Sequence, residues 1–301
     1  MRPTTLKDEI PRGMENDHVT TPASETPAGV PWELLTLPAF PSVSAKALQL
    51  LSSSDTRLFE LYQVVSSDPS FASEVLRIAN SPLYPLQSAV RNLTQAAMMR
   101  GFERLKNVAG TIGIRSYLGE VLAVPALRAC WRHSLACALI AEEATSTNPT
   151  AHGYDAYTAG MLHDLGRLAL AAIRPQPYAK LLESGDEGGD MLERERRMFG
   201  IDHCEAGRCL VSAWRLPSEL ADFASQHHEN MKERKFDHVS LIHYSCRFAD
   251  VLGFYSARPL HPPTYDELLQ EVPASERRRF SFDPQTMALA ITSRIDGFDA
   301  T

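Results

Sequence analysis

The chain has 301 residues, 44% of them hydrophobic and 22% charged, which is enough for one large or two small domains with a sizeable core. Its formal net charge of −7 gives the whole molecule a field that does not favour nucleic acid or an anionic membrane, and no Lys/Arg cluster tracks a phosphate backbone. No apolar run approaches the ~18 to 20 residues that span a bilayer, and the N-terminus lacks the apolar stretch of a secretory signal, so the expected location is cytoplasmic.

Residues 1–30 are rich in Pro, Thr, Glu and Ser with few large apolar side chains, a composition expected to stay disordered. The stretch "LPAFPSVSAKALQLLSS" predicts a first helix, with Val43, Ala47, Leu50 and Leu51 at helical spacing. Leu58, Leu61, Val64 and Val65 form the next stripe. Asp68-Pro69 reads as an N-cap followed by proline at the first helical position, and Phe71, Val75, Ile78 and Ala79 supply the stripe after it. Helical period continues through "NLTQAAMMRGFERLKNVAGTIGIRSYL". Further helices are predicted at 125–147, 155–173, 177–199, 203–213, 218–228 and 237–252. No run alternates apolar and polar residues between hairpin turns, so the expected fold class is all-α. After Phe254 the chain turns Pro-rich and gives one more short helix. The five cysteines lack CxxC spacing and read as reduced, small buried hydrophobes. There is no GxGxxG or GxxxxGK[ST] loop.

A set of polar residues interrupts the apolar faces. His133 lies in the apolar helix "ACWRHSLACALIAEEA". In "AGMLHDLGRLAL", Asp164 shares a helical stripe with Tyr157, Gly160, Met161 and Leu168, beside His163. A buried carboxylate without a partner costs several kcal/mol, so Asp164 needs a cation, a metal or hydrogen-bond donors. His203 opens a helix in which Asp202 and Glu205 have capping-box spacing. His227 continues the stripe of Leu220, Phe223 and Ala224 and should turn inward, with His228 four residues after Ala224. Asp250 shares a face with Val239, Ile242, His243 and Cys246. Each of these alone has an ordinary reading, as a hydrogen-bonded core residue, a first-turn residue or a helix-end histidine. Imidazoles and carboxylates are also the ligands of Fe, Mn, Zn or Mg, in contrast to a soft thiolate site, and a helical core lets them converge.

The order His133, His163-Asp164, Asp250 resembles the HD superfamily of metal-dependent phosphohydrolases. More closely, the chain resembles the HDOD family, the HD-related output domains of bacterial signalling proteins. The resemblance runs through "LPAFPSV", "DPSFASEVLRIANSPLY", "WRHS", "AGMLHDLG", "FGIDHCEAGRCLVSAWRLP", "QHHE" and "RFADVLG", over about residues 32–254. It implies an HDOD domain over residues 31–256, with an N-terminal helical part (about 31–120) packed on an HD-like multi-helix core (about 121–256), then a Pro-rich extension over 257–301. It also implies a non-catalytic regulatory protein that works through protein partners, with a pocket for a metal or a small ligand such as a nucleotide. The set His133, His163, Asp164, His203, His227, His228 and Asp250 matches the metal-ligand order of the related HD-GYP phosphodiesterases and implies one or two divalent ions. After "HHE", however, the text is "NMKERKFDHVS" where that group has Gly-Tyr-Pro. The alternative is a hydrolase of a nucleotide or phosphodiester with a binuclear His/Asp site. There Asp164 would carry catalysis, and Arg132 and Arg167 flank the motifs where a phosphate could sit.

Overall fold

A computed structural model describes residues 57–80, 90–146, 156–185, 190–214, 216–231, 234–259 and 261–299, together with Val43, Lys46, Ala47 and Gln49. The expected disorder of residues 1–30, and Leu50 and Leu51 of the first helical stripe, lie outside the described residues. Among the described residues every regular element is helical and there is no strand, as the apolar spacing predicts. No helix among them is long and apolar enough to cross a membrane.

The N-terminal part comprises α1 (Leu58–Ser66), α2 (Pro69–Ala79), α3 (Leu93–Arg100) and α4 (Phe102–Leu118). Asp68 caps α2, its Oδ1 accepting from the Ser70 and Phe71 N–H groups at 2.8 and 3.1 Å, while Pro69 presets the first helical φ. The predicted stripe Phe71, Val75, Ile78 and Ala79 is buried. A hydroxyl pair joins this part to the rest: Thr111 Oγ1 on α4 lies 2.7 Å from the Tyr157 Oη on α6.

The second part is built around α5 (Pro125–Ser146), whose long apolar face is covered by α6 (Ala156–Leu162), α7 (Leu165–Ile173), α8 (Pro175–Glu183) and α12 (His238–Val251). Beside them stand α9 (Met191–Phe199), α10 (His203–Ala213) and α11 (Leu220–Gln226), with α10 packed on both α7 and α11. One contiguous hydrophobic core runs from Ala47 to Phe298.

The structure departs from the sequence reading in three places. The helix predicted over 155–173 is two helices, broken at His163-Asp164; Asp164 has φ −97° and ψ 22°, and its carbonyl restarts α7 by accepting from Arg167 N–H at 2.9 Å. The break turns α7 onto α10, where a Cβ on Gly166 would stand 1.8 Å from the His203 carbonyl oxygen. The helix predicted over 177–199 is likewise two, ended after Glu183 where Gly185 takes φ +56°, a conformation glycine adopts without steric penalty. The extension after residue 257 holds two α-helices with a 3-10 turn (Arg277–Phe280) between them, not one short helix. They are α13 (Tyr265–Glu271), closed by a Thr264–Glu267 capping box, and the 16-residue α14 (Pro284–Asp299). The second packs on α5 with Ile291, Ile295 and Phe298 buried and with Arg294 3.1 Å from Glu142. Its amphipathic signal is weak because Leu289 stands 71% exposed on the opposite side.

Candidate metal centre

Asp164 is the hub. As an N-cap it would ordinarily bond its own helix's first N–H groups, yet its side chain makes no such bond. The carboxylate turns instead into the core, where the residue is 2% exposed. Two groups of imidazoles face its two oxygens. On one side the His133 and His163 Nε2 atoms each lie 3.8 Å from Oδ2; on the other, the His203 and His227 Nε2 atoms lie 3.6 and 3.3 Å from Oδ1. His133 comes from α5, His163 from the α6–α7 turn, His203 from the first turn of α10 and His227 from the C-terminus of α11. All four rings are buried.

Every one of these rings is oriented through its other nitrogen. His163 Nδ1 pairs with the Gly160 carbonyl at 2.7 Å, His227 Nδ1 with the Phe223 carbonyl at 3.0 Å, and His133 Nδ1 with the Phe254 carbonyl at 2.7 Å. That last acceptor is delivered by the end of α12. Gly253, at φ +92°, lets Phe254 N–H return to the Ala249 carbonyl at 2.9 Å while Gly253 N–H reaches Asp250, the paired bonds of a Schellman motif. His203 Nδ1 meets the Glu195 Oε2 at 2.6 Å. With each Nδ1 held by an oxygen acceptor, the Nε2 atoms are the ones presented to the cluster, as in metal sites whose ligands are fixed by outer hydrogen bonds.

Glu195 is fully buried and satisfied by four donors: Tyr178 Oη (2.7 Å), Arg167 (3.3 Å), and the His203 backbone N–H (2.8 Å) and ring. Arg167 spans both carboxylates, its Nε standing 3.0 Å from Asp164 Oδ2. Burial pushes the Asp164 and Glu195 carboxyls up, but the Arg167 guanidinium and the imidazoles beside them win. Asp164 ends well below the usual carboxylate range, and Glu195 at about 2. Burial and Arg167 pull His203 down, and the Glu195 carboxylate overrides both, raising it to about 10. Burial drops His163 to about 3, outweighing the upward pull of the neighbouring Asp164 carboxylate.

The seven residues singled out from the sequence do not all stand alike. His133, His163, Asp164, His203 and His227 converge. His228 is exposed at the rim, its ring centroid 4.3 Å from that of His227 and 5.0 Å from that of His203. Asp250 stands behind His133, Oδ1 3.3 Å from Nδ1, with its side chain 35% exposed towards an outer cavity of about 590 Å³. Sequence reasoning passed over Glu195, Tyr178 and Cys246. Glu195 lies four residues after Met191 and shares its buried face, but that spacing does not set it apart from the other charged residues of the helix. Cys246 was read as a small hydrophobe, yet its Sγ lies 3.3 Å from His133 Nε2.

The chemistry of the donor set fits a divalent cation. Asp164 Oδ1 and the Nε2 atoms of His163, His203 and His227 are buried without a hydrogen-bond partner. A buried polar atom left so costs about 1–3 kcal/mol, and four of them face one another across a few ångströms. The groups His163/Asp164/His227, His133/His163/Cys246 and His203/Cys204/His227/His228 each bring their donor atoms within 4.8 Å of one another.

Four proteins of other organisms are similar to this chain. An uncharacterized protein of Treponema pallidum (strain Nichols) is 22% identical over 231 residues, 73% of this chain; the chain spans only 42% of that relative's length. An HDOD domain protein of unknown function from Geobacter sulfurreducens superposes with a TM-score of 0.68 at 22% identity, covering 88% of this chain and 91% of that one. A Shewanella amazonensis SB2B protein provisionally named a phosphohydrolase gives a TM-score of 0.64 at 18% identity, over 90% of this chain and 97% of its own. A Marinobacter aquaeolei VT8 protein provisionally named a signal transduction protein gives 0.64 at 21%, over 88% and 60%. At these identities the likeness is one of fold. The HDOD domain model itself matches residues 37–230, more than half of the chain, and the chain belongs to the HDOD family.

Proposed function

We propose that this chain is a regulatory module of signal transduction that acts through protein contacts, and that its His/Asp pocket is a metal-holding centre without hydrolytic turnover. The observation that carries this reading is the closure of the pocket. Asp164, His133, His163, His203 and His227 are all 2% exposed or less. A hydrolytic centre needs an open position for water and substrate. The cation would be held by His133, His163, Asp164, His203 and His227, with His228 at the rim and Asp250 behind His133. When bound it would supply a positive charge tying the helices together and, in an enzyme, Lewis acidity. In this chain Glu195 and the carbonyls of Gly160, Phe223 and Phe254 orient the rings, and Arg167 holds the Asp164 carboxylate ionised.

A second reading, a phosphohydrolase acting on a nucleotide or phosphodiester, draws on the two imidazole groups that straddle one carboxylate and on His228, which gives the cluster a surface end. One experiment separates them. Protein purified without chelator is assayed for bound Fe, Mn and Zn, then tested for turnover on a panel of phosphodiesters and nucleotides. A parallel capture from the host cell compares wild type with Asp164→Asn. The regulatory reading expects stoichiometric metal, no turnover above the Asp164→Asn control, and a partner whose capture depends on the pocket. Metal-dependent turnover lost in Asp164→Asn makes the protein an enzyme, and absence of metal under every loading condition removes the metal from either account.

A further inference from the structure

We propose that Cys246 is a metal ligand of this pocket, that Asp250 is not, and that the centre therefore prefers zinc to magnesium or manganese. The proposal rests on the reading that the pocket holds a cation. Cys246 and Asp250 lie one turn apart on α12, and both reach His133, but from opposite edges of its ring. The thiol faces Nε2 at 3.3 Å, and the carboxylate faces Nδ1 at 3.3 Å, the edge that also pairs with the Phe254 carbonyl. Nε2 is the edge that looks onto Asp164. So the sulfur stands on the donor side of the imidazole and the Asp250 carboxylate on its orienting side.

The separations agree with this assignment. Around a tetrahedral ion with bonds of about 2.0–2.3 Å to N, O and S, neighbouring donors stand roughly 3.3–3.7 Å apart. Cys246 Sγ to His133 Nε2 is 3.3 Å, at the short end of that range, and Asp164 Oδ2 is 3.8 Å, just beyond its long end, from both His133 Nε2 and His163 Nε2. The donor atoms of His133, His163 and Cys246 all lie within 4.8 Å of one another. Two imidazoles, one carboxylate oxygen and one thiolate form a mixed set that suits borderline-soft zinc, whereas magnesium and manganese favour oxygen. The His163 Nε2, buried and without a hydrogen-bond partner, points to a ligand independently of the cysteine. The proposal gives Asp250 a defined task as well: it is a positioning residue for His133, acting through Nδ1.

Cobalt(II) reads the assignment directly, because a thiolate on cobalt gives a near-ultraviolet charge-transfer band that imidazole and carboxylate do not. The intact chain is loaded with cobalt under anaerobic conditions, bound metal is counted by equilibrium dialysis, and folding of each variant is checked by far-ultraviolet circular dichroism. Wild type should show visible ligand-field bands together with the charge-transfer band. Cys246→Ser, and Cys246→Ala as a second variant, should keep bound cobalt and lose the charge-transfer band, while Cys204→Ser keeps it. Asp250→Asn should bind about ten- to a hundredfold more weakly and still show the band at saturation, the loss expected when an orienting partner is removed. Bound cobalt without the band in wild type, or a band that persists in both Cys246 variants or disappears in Cys204→Ser, overturns the assignment while leaving the pocket reading intact. No bound cobalt in wild type overturns both.

Discussion

At the scale of single residues, the polar core is decided by Glu195 as much as by the histidine-aspartate pair. Four donors converge on this carboxylate, and one of them is the ring of His203. Its folded value of about 2 lies below its ordinary 4.5, so it adds stability that is fully present above 4.5 and is lost as pH falls through about 2. Glu195→Gln should therefore cost about 3–5 kcal/mol near neutral pH, as a broken buried ion pair does. The gap in denaturant midpoint between variant and wild type should shrink as the pH is lowered from 4.5 towards 2. A gap that is constant across that range would show that packing rather than charge holds the residue. Asp164 and His227 were legible in the sequence because each interrupts an apolar stripe, His133 and His163 because they sit in apolar helical text, and His203 only through its place in the family's motif order. Glu195 was not, because "MLERERRMF" is so charged that one inward carboxylate is lost among outward ones. The separate task of Asp250 was illegible for a different reason: one helical face carries both Cys246 and Asp250, and only the placement of the His133 ring tells their edges apart.

At the scale of elements, the centre depends on how closely helices approach. The crossing of α7 and α10 brings the His203 carbonyl within 1.8 Å, and the Gly207 N within 2.7 Å, of where a Cβ of residue 166 would lie. Both contacts are backbone, so no side chain can move aside. Gly166→Ala should destabilise by about 1–3 kcal/mol or more, as overpacking does. It should also weaken metal binding, because the shift separates His203 from Asp164. Calorimetry and zinc titration of the same sample check this; a variant that melts like wild type with unchanged affinity would show that the two helices can part without cost. The apolar spacing predicted helices at nearly every position where helices stand. It missed the break at His163-Asp164, since periodicity continues across a turn when both flanking helices bury the same stripe, and Tyr157, Met161 and Leu168 are all buried. It also missed α13, whose seven residues lie inside the Pro-rich stretch, and made α14 a short helix where it runs sixteen residues.

At the scale of the whole molecule, the pocket closes the chain on itself. His133 and Cys246 are 113 residues apart in sequence and 3.3 Å apart at their ring nitrogen and sulfur. The other donors beside them, His163 and Asp164, lie at the α6–α7 turn, while His203 and His227 face the other Asp164 oxygen from α10 and the end of α11, so a cation held at Asp164 would tie together elements that form the core around α5. An ion that binds this arrangement and not the unfolded chain adds RT ln(1 + [L]/Kd) to stability, about 2.7 kcal/mol at a hundredfold excess over Kd. For a chain of 301 residues this corresponds to a rise in Tm of roughly 4 °C. Ile295→Ala, on α14, provides the control for remoteness: it should lower stability by about 2–5 kcal/mol through the cavity it leaves, with and without zinc alike. Asp164→Ala should remove the zinc-induced rise itself, since both donor groups lose the carboxylate they share. Calorimetry of the three proteins with zinc and with chelator thus distinguishes a cation that clasps the fold from one that adheres to its surface. A rise of equal size in Asp164→Ala and wild type would place the ion elsewhere and leave the buried imidazoles held by Glu195, Arg167 and the backbone alone.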